Sequence, residues 1–399
     1  MQNCENSDRK GGIVAGVAGS GKTIVTLHLL KSTEKTLILA PKAMLDQWVT
    51  ETEDKTTLKA YKWHEQNRKS EPLYDASIQV IVTTHNTGST HQLLKDIVWD
   101  RIVVDEAHKS LINCNSLNFK GMIELKAKHR WILTATPIVN TFTDLYNLAI
   151  FLKAPESTNA IQFQQKYVHF VSSQVLQMTS SEIEAMKLPP KISEIVDVEM
   201  TSEERVIYAR LGVERAKHTF QKMQALRSFT ASPTVFMRKF GMQASLTSPD
   251  SKLQWIQNYF DQKCKKQGEK MILFSYSVQV LVYYKEILGE NATEVYHGGL
   301  GTKARSTILQ HFSDYKGALI LLASSKSLDA GVNIVAANHV VLSNPAWSFV
   351  HDLQSQARAH RMGQQKTVYV NILRSADTFE KYMDHVSDRK RQLHSDILD

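Results

Sequence analysis

Residues 11–30 read GGIVAGVAGSGKTIVTLHLL. A short apolar run leads into GVAGSGKT at 16–23, which matches G-x-x-x-x-G-K-[ST], and a helical pattern, TIVTLHLLKS, follows. Strand, glycine loop and helix in that order are the context that makes this string a phosphate cradle. Gly16, Val17, Ala18, Gly19, Ser20 and Gly21 turn backbone N–H groups inward, and the helix start adds a favourable dipole. Lys22 is placed to neutralise β and γ phosphate oxygens, and the Thr23 hydroxyl to bind Mg²⁺. ATP with Mg²⁺ is the expected cofactor pair.

Outward from this loop, apolar runs alternate with helical patterns: TLILAP (36–41), IQVIVTT (78–84), RIVVD (101–105) and RWILTAT (130–136). Near-continuous apolar strands separated by helices predict a parallel sheet covered on both faces. A second set follows in KMILFSY (270–276), ATEVYHG (292–298), GALILLAS (317–324), HVVLSNP (339–345) and TVYVNIL (367–373). The fold class is therefore α/β, with two such lobes at 1–152 and 251–380. Between them, 153–250 reads as a helical insertion, with the strand-like LPPKISEIVDVEM crossing it. A polar helix at 381–399 carries Arg389, Lys390 and Arg391, which are expected to lie on a solvated face, with DNA contact or bracing of the lobes as the other readings.

Three further motifs carry chemistry. VVDEAH at 103–108 puts two carboxylates at the C-terminal end of a strand, where ligands of open α/β sheets collect. Asp105 can hold the metal and Glu106 can orient and deprotonate a water. LTATP at 133–137 ends the next strand in small hydroxyl residues suited to a relay. Gln354, Arg358 and Arg361 of QSQARAHRMGQ stand at i, i+4 and i+7, so on a helix they share one face. Paired guanidiniums suit the dispersed charge of a transferring phosphoryl group.

The 399 residues carry 48 Lys plus Arg against 40 Asp plus Glu, a net charge of +8, which favours a polyanionic partner without specifying one. Cys4, Cys114 and Cys264 are scattered, with neither a disulfide framework nor a zinc spacing. The longest apolar stretch, 271–284, is too short to span a bilayer, and the first residues lack the apolar core of a secretory signal. A soluble intracellular protein is the expectation.

In order, WDRIVVDEAHKS, RWILTATPIVNTFTDLYNLAIFL, LPPKISEIVDVEM and SNPAWSFVHDLQSQARAHRMGQQKTVYVNIL resemble the Swi/Snf-related family of superfamily 2 DNA-dependent ATPases, over roughly residues 11 to 385. RAHRMGQ is the most specific element, because DEAD and DEAH helicases usually carry glycines between their arginines. The resemblance implies two RecA-like lobes that close on ATP and step along duplex DNA, with nucleosomes or other DNA-bound proteins as targets. By the same resemblance Pro41, Lys42, Thr83, Thr84, His297, Gly298, Ser324, Ser325, Gly331 and Asn333 contact the DNA backbone or couple it to ATP, and Trp347 links track to hydrolysis. It implies a nuclear setting for a eukaryotic member and a bacterial cytoplasm or infected cell for a minimal bacterial or viral one.

Two features depart from the family. GVAGSGKT stands where DEMGLGKT is usual, the family's upstream glutamine segment for adenine is not expected within the fifteen residues before Gly16, and Leu328 and Asp329 replace a glycine pair in SLDAGVNI. Two alternatives stay open at this point: a strand-separating DEAH-type RNA or DNA helicase, and a non-catalytic DNA-binding scaffold.

Overall fold

The computed structural model describes the chain apart from residues 17–19, 178–187, 214–218, 243–245, 326, 328–331, 347–348 and 399. The chain divides into two compact units, Met1–Met186 with Lys390–Asp399, and Lys187–Arg389.

The first unit is built on seven parallel strands: β1 Gly11–Ala15, β2 Thr36–Ala40, β3 Ala60–Lys62, β4 Val80–Thr84, β5 Val98–Asp105, β6 Lys126–Thr134 and β7 Val175–Gln177. Their order is β3-β4-β2-β5-β6-β1-β7. β1 pairs with β6 from Gly11 opposite Arg130 to Ala15 opposite Thr134. Because every pairing is parallel, the chain leaves β1, β2, β4, β5 and β6 at one edge. That edge therefore collects the loop after Ala15, Pro41, Thr84, Asp105 and Thr134. The sheet is anchored by Ile13, Leu39, Ile81, Val104 and Ile132, packed with Phe151, Phe163 and Phe170 from the helices Phe142–Leu152 and Ala160–Gln174. Burying such side chains stabilises by about 1.5–3 kcal/mol each.

β3 and β7 were not among the expected strands, since three residues are too few to show a period. The helix after the phosphate loop runs only Lys22–Leu27, shorter than the expected TIVTLHLLKS. Four successive β-branched residues, Thr23 to Thr26, lose χ1 freedom in a helix, which favours an early end.

The second unit holds five parallel strands: β8 Lys191–Val198, β9 Met271–Ser275, β10 Ile320–Ser324, β11 His339–Leu342 and β12 Val368–Ser375, in the order β10-β9-β11-β12-β8. LPPKISEIVDVEM thus supplies the strand β8, paired with β12 over its full length. The helices Ser202–Val213, Thr219–Ala231 and Pro233–Phe240 lie in this unit, with a small core around Ile207, Phe229 and Phe236.

ATEVYHG is a correction: it is no strand, and only Ala292 and Tyr296 bridge to the neighbouring strand. Between these bridges Leu322 N–H donates to the Thr293 hydroxyl at 3.2 Å, so a side chain intercepts the ladder. Among the described residues no helix is long and apolar enough to cross a membrane.

Candidate functional site

At the C-terminal edge of the first unit's sheet, Gly16 N–H donates to Thr134 O at 3.3 Å, tying the loop's first residue to β6. Val17, Ala18 and Gly19 lie outside the described residues. Gly21 adopts φ 79° with open space where a Cβ would stand, a left-handed conformation that favours glycine. Lys22 opens the helix, and its Nζ donates to Gly16 O at 2.7 Å, so the amine sits within its own loop. Thr23 is half-buried on the first turn.

Asp105 ends β5, buried, two strands from β1 and hence roughly 10 Å away by sheet spacing. Its Oδ1 accepts Glu106 N–H at 2.9 Å, and its Oδ2 accepts the Trp48 indole N–H at 2.9 Å. Burial and the adjacent Glu106 carboxylate push the Asp105 carboxyl up, against the opposing pull of Trp48 and Lys22. Glu106 has φ 49°, a left-handed conformation costly for a residue with a Cβ, and its Oε2 lies 3.3 Å from His108 Nδ1. His108 Nδ1 also lies 3.1 Å from Thr134 Oγ1, which in turn accepts Thr136 N–H at 3.1 Å. DEAH and LTATP are thereby one hydrogen-bonded group.

The expected DNA-facing residues of this unit sit on the same edge. Pro41 and Lys42 follow β2, with Lys42 exposed and paired to Glu65. The Thr84 hydroxyl accepts Thr87 N–H and caps the helix His85–Thr90, whereas Thr83 is fully buried. His85 Nε2 reaches Asp105 O at 2.8 Å, and burial holds this imidazole neutral with a pKa lowered to about 4. A cavity of about 610 Å³ lined by Glu34, Tyr74 and Val98 opens at the opposite, N-terminal edge, remote from this chemistry.

In the second unit, described by itself, Gln354 belongs to the helix Phe349–Gln356, but Arg358 and Arg361 lie beyond its end. The expected single helical face is therefore a correction. Ile334 N–H donates to Arg358 O at 3.0 Å, and the Gln364 amide donates to Val335, Ala337 and Ala359 carbonyls, so tertiary bonds draw the chain out of the helix. Gln354 and Arg358 are buried and Arg361 is half-buried. Ser324 ends β10, and Ser325 N–H donates to Ser275 O at 2.9 Å. His297 Nδ1 accepts Gly299 N–H at 3.2 Å, and Gly298 is exposed. Leu328, Asp329, Gly331 and Trp347 lie outside the described residues.

One unit thus assembles Lys22, Asp105 and Glu106 with three residues to which the sequence reading gave no separate role: Trp48, His85 and His108. Of these, Lys22, Asp105 and Glu106 fit Mg²⁺ and a nucleoside triphosphate. The buried Asp105 carboxylate has no Arg or Lys hydrogen-bonded to it among the described residues, and Gly21 leaves its flank of the loop clear.

Residues 1–258 match the family model of the SNF2-related domain, and residues 251–363 match the helicase conserved C-terminal domain. Chromodomain-helicase-DNA-binding protein 7 of Homo sapiens is 24% identical, aligned over 100% of this chain and 15% of that protein. A Mycoplasma pneumoniae protein named as an uncharacterized ATP-dependent helicase is 25% identical over 97% of this chain and 40% of its own length. The chain thus spans well under half of either relative. A solved Sulfolobus solfataricus SWI2/SNF2 ATPase core in complex with dsDNA is 23% identical with a TM-score of 0.40, covering 97% of this chain and 88% of that one. With the first family match covering more than half its length, the chain belongs to the SNF2-related family of helicase-like ATPases.

Proposed function

We infer that the chain hydrolyses ATP to step along double-stranded DNA and so remodels or strips DNA-bound protein, nucleosomes included. The observation that carries the reading is the joined group of Lys22, Asp105, Glu106, His108 and Thr134 on one sheet edge, with Pro41, Lys42 and Thr84 beside it. In this reading Gly16 to Gly21 and Lys22 hold the phosphates, and Thr23 and Asp105 hold Mg²⁺. When bound, Mg²⁺ supplies charge neutralisation across the phosphate oxygens. Glu106 takes the proton of the attacking water, beside the His108 ring that the Thr134 hydroxyl holds 3.3 Å away. Gln354, Arg358 and Arg361 supply the arginine arm in the second unit.

The expected boundaries 1–152, 153–250, 251–380 and 381–399 differ from the two compact units: Val175–Gln177 pairs in the first sheet and Lys191–Val198 in the second, so the expected insertion divides between the units. DNA contacts at strand ends through hydroxyls, backbone amides and Lys42 are expected to grip phosphates without reading bases. ATP-driven displacement of a third strand from a DNA triplex tests the stepping. Displacement that needs ATP and Lys22, without separation of the duplex strands, is expected. Strand separation, or no displacement alongside normal ATP turnover, contradicts it.

A further inference from the structure

The Asp105 carboxylate has two hydrogen-bond donors among the described residues, and only one of them is a side chain. Oδ1 takes the next residue's N–H, and Oδ2 takes the indole N–H of Trp48 at 2.9 Å. Trp48 is fully buried on the helix Leu45–Lys55, along with Leu45 and Thr52, so its ring cannot follow a carboxylate that rotates away.

A buried indole needs an acceptor, and a main-chain carbonyl usually suffices. In this unit Trp63 uses Lys69 O and Trp99 uses Leu94 O. Trp131 donates to the Glu5 carboxylate, but Glu5 is also held by both forks of Arg101, so its charge is already neutralised. Asp105 differs. Its side-chain hydrogen-bond partner is a neutral donor, which orients the carboxylate, and Lys22 acts on it only through space. A carboxylate offers about four lone-pair sites, and two are taken, so sites remain for a metal.

We propose that Trp48 is a positioning residue for Mg²⁺·nucleotide: its indole N–H fixes the Asp105 carboxylate so that Asp105 can bind the cation. The proposal rests on reading Asp105 as the metal carboxylate. It also links that carboxylate to the helix whose leading turn begins at Lys42, six residues before Trp48.

The test is the affinity of the full chain for a fluorescent ATP analogue, titrated with Mg²⁺ and read as binding rather than turnover. Two variants remove the donor: Trp48→Phe, and site-specific benzothienylalanine at position 48, which puts sulfur in place of N–H and preserves ring shape should the smaller Phe leave the helix badly packed. Loss of such an outer partner should raise the Mg²⁺ concentration for half-effect by about 10–100-fold. Analogue affinity without Mg²⁺ should stay within about twofold, because only the outer partner of the metal ligand is changed. Asp105→Asn should abolish the Mg²⁺ effect, and adding the Trp48 change to it should do nothing more. If Asp105→Asn abolishes the effect while both Trp48 variants keep the wild-type Mg²⁺ dependence, the positioning role is wrong. If Asp105→Asn leaves the effect intact, the reading of Asp105 itself fails, and the proposal with it.

Discussion

His108 Nδ1 lies 3.1 Å from Thr134 Oγ1, a contact that joins the end of β5 to the end of β6. The same nitrogen stands 3.3 Å from Glu106 Oε2, so the ring fixed by Thr134 lies beside the carboxylate proposed to activate water. Removing the hydroxyl should free the His108 ring beside Glu106 and leave the phosphate loop's own bonds in place. Thr134→Val is expected to lower ATP turnover about tenfold, the rate equivalent of one lost hydrogen bond. Nucleotide affinity by fluorescence titration should change less than about twofold on the same reasoning. Unaltered turnover would remove His108 and Thr134 from the mechanism.

Arg361 is expected to act in the reacting complex rather than in ground-state binding. Arg361→Ala should cut kcat by about a thousandfold, the usual scale for an arginine finger, and leave ATP binding nearly intact. Lys22→Ala, by contrast, should weaken binding itself. Single-turnover kinetics and an equilibrium binding isotherm separate the two. An Arg361 variant that binds ATP poorly but turns it over normally would reverse the assignment.

Lys252 and Glu380 form a buried ion pair at 2.8 Å, with Lys252 also donating to Ser343 O and Glu380 accepting Asn344 and Ser375 N–H. Burial lowers the Lys252 pKa, and Glu380 opposes the shift. Lys252→Met would leave Glu380 buried and uncompensated, a loss of about 3–5 kcal/mol. Lys252→Met with Glu380→Gln should recover part of that loss, because no lone charge remains. Urea midpoints measure both; equal loss in the single and double variants would show that packing, not charge, dominates.

Glu269 provides a pH-dependent stability term. Burial raises its pKa, but hydrogen bonds from Asn338, Lys366 and His339 outweigh that and hold the carboxyl at about 2, below the ordinary 4.5. A depressed acid stabilises the fold above its unfolded pKa and loses that contribution as pH falls through the folded value. Glu269→Gln should therefore cost roughly 1–2 kcal/mol near neutrality. The gap from wild type should hold down to about pH 4.5 and close towards about pH 2. A gap that stays constant through that window would contradict the charge argument.

Much of this molecule is legible in its sequence, because parallel strands buried on both faces read as apolar runs and because GVAGSGKT and DEAH punctuate their ends. What escaped depends on contacts between distant segments. Trp48 sits within PKAMLDQW, but nothing local says that its indole reaches a carboxylate 57 positions away. The arginines stand at true helical spacing, yet the backbone bond from Ile334 to Arg358 O overrides it. ATEVYHG has strand composition, and a single hydroxyl, Thr293, diverts its ladder. β3 and β7 exist through their neighbours alone, three residues each.

Lys22, Asp105 and Glu106 are proposed to form an ATP-hydrolysing site driven by duplex DNA. Steady-state ATP turnover of the wild type and of Glu106→Gln, each with and without double-stranded DNA, tests it most directly. Wild-type turnover is expected to rise with duplex DNA more than with single-stranded DNA or RNA, and the variant is expected to show none. Turnover indifferent to duplex DNA, or undiminished by Glu106→Gln, would contradict it.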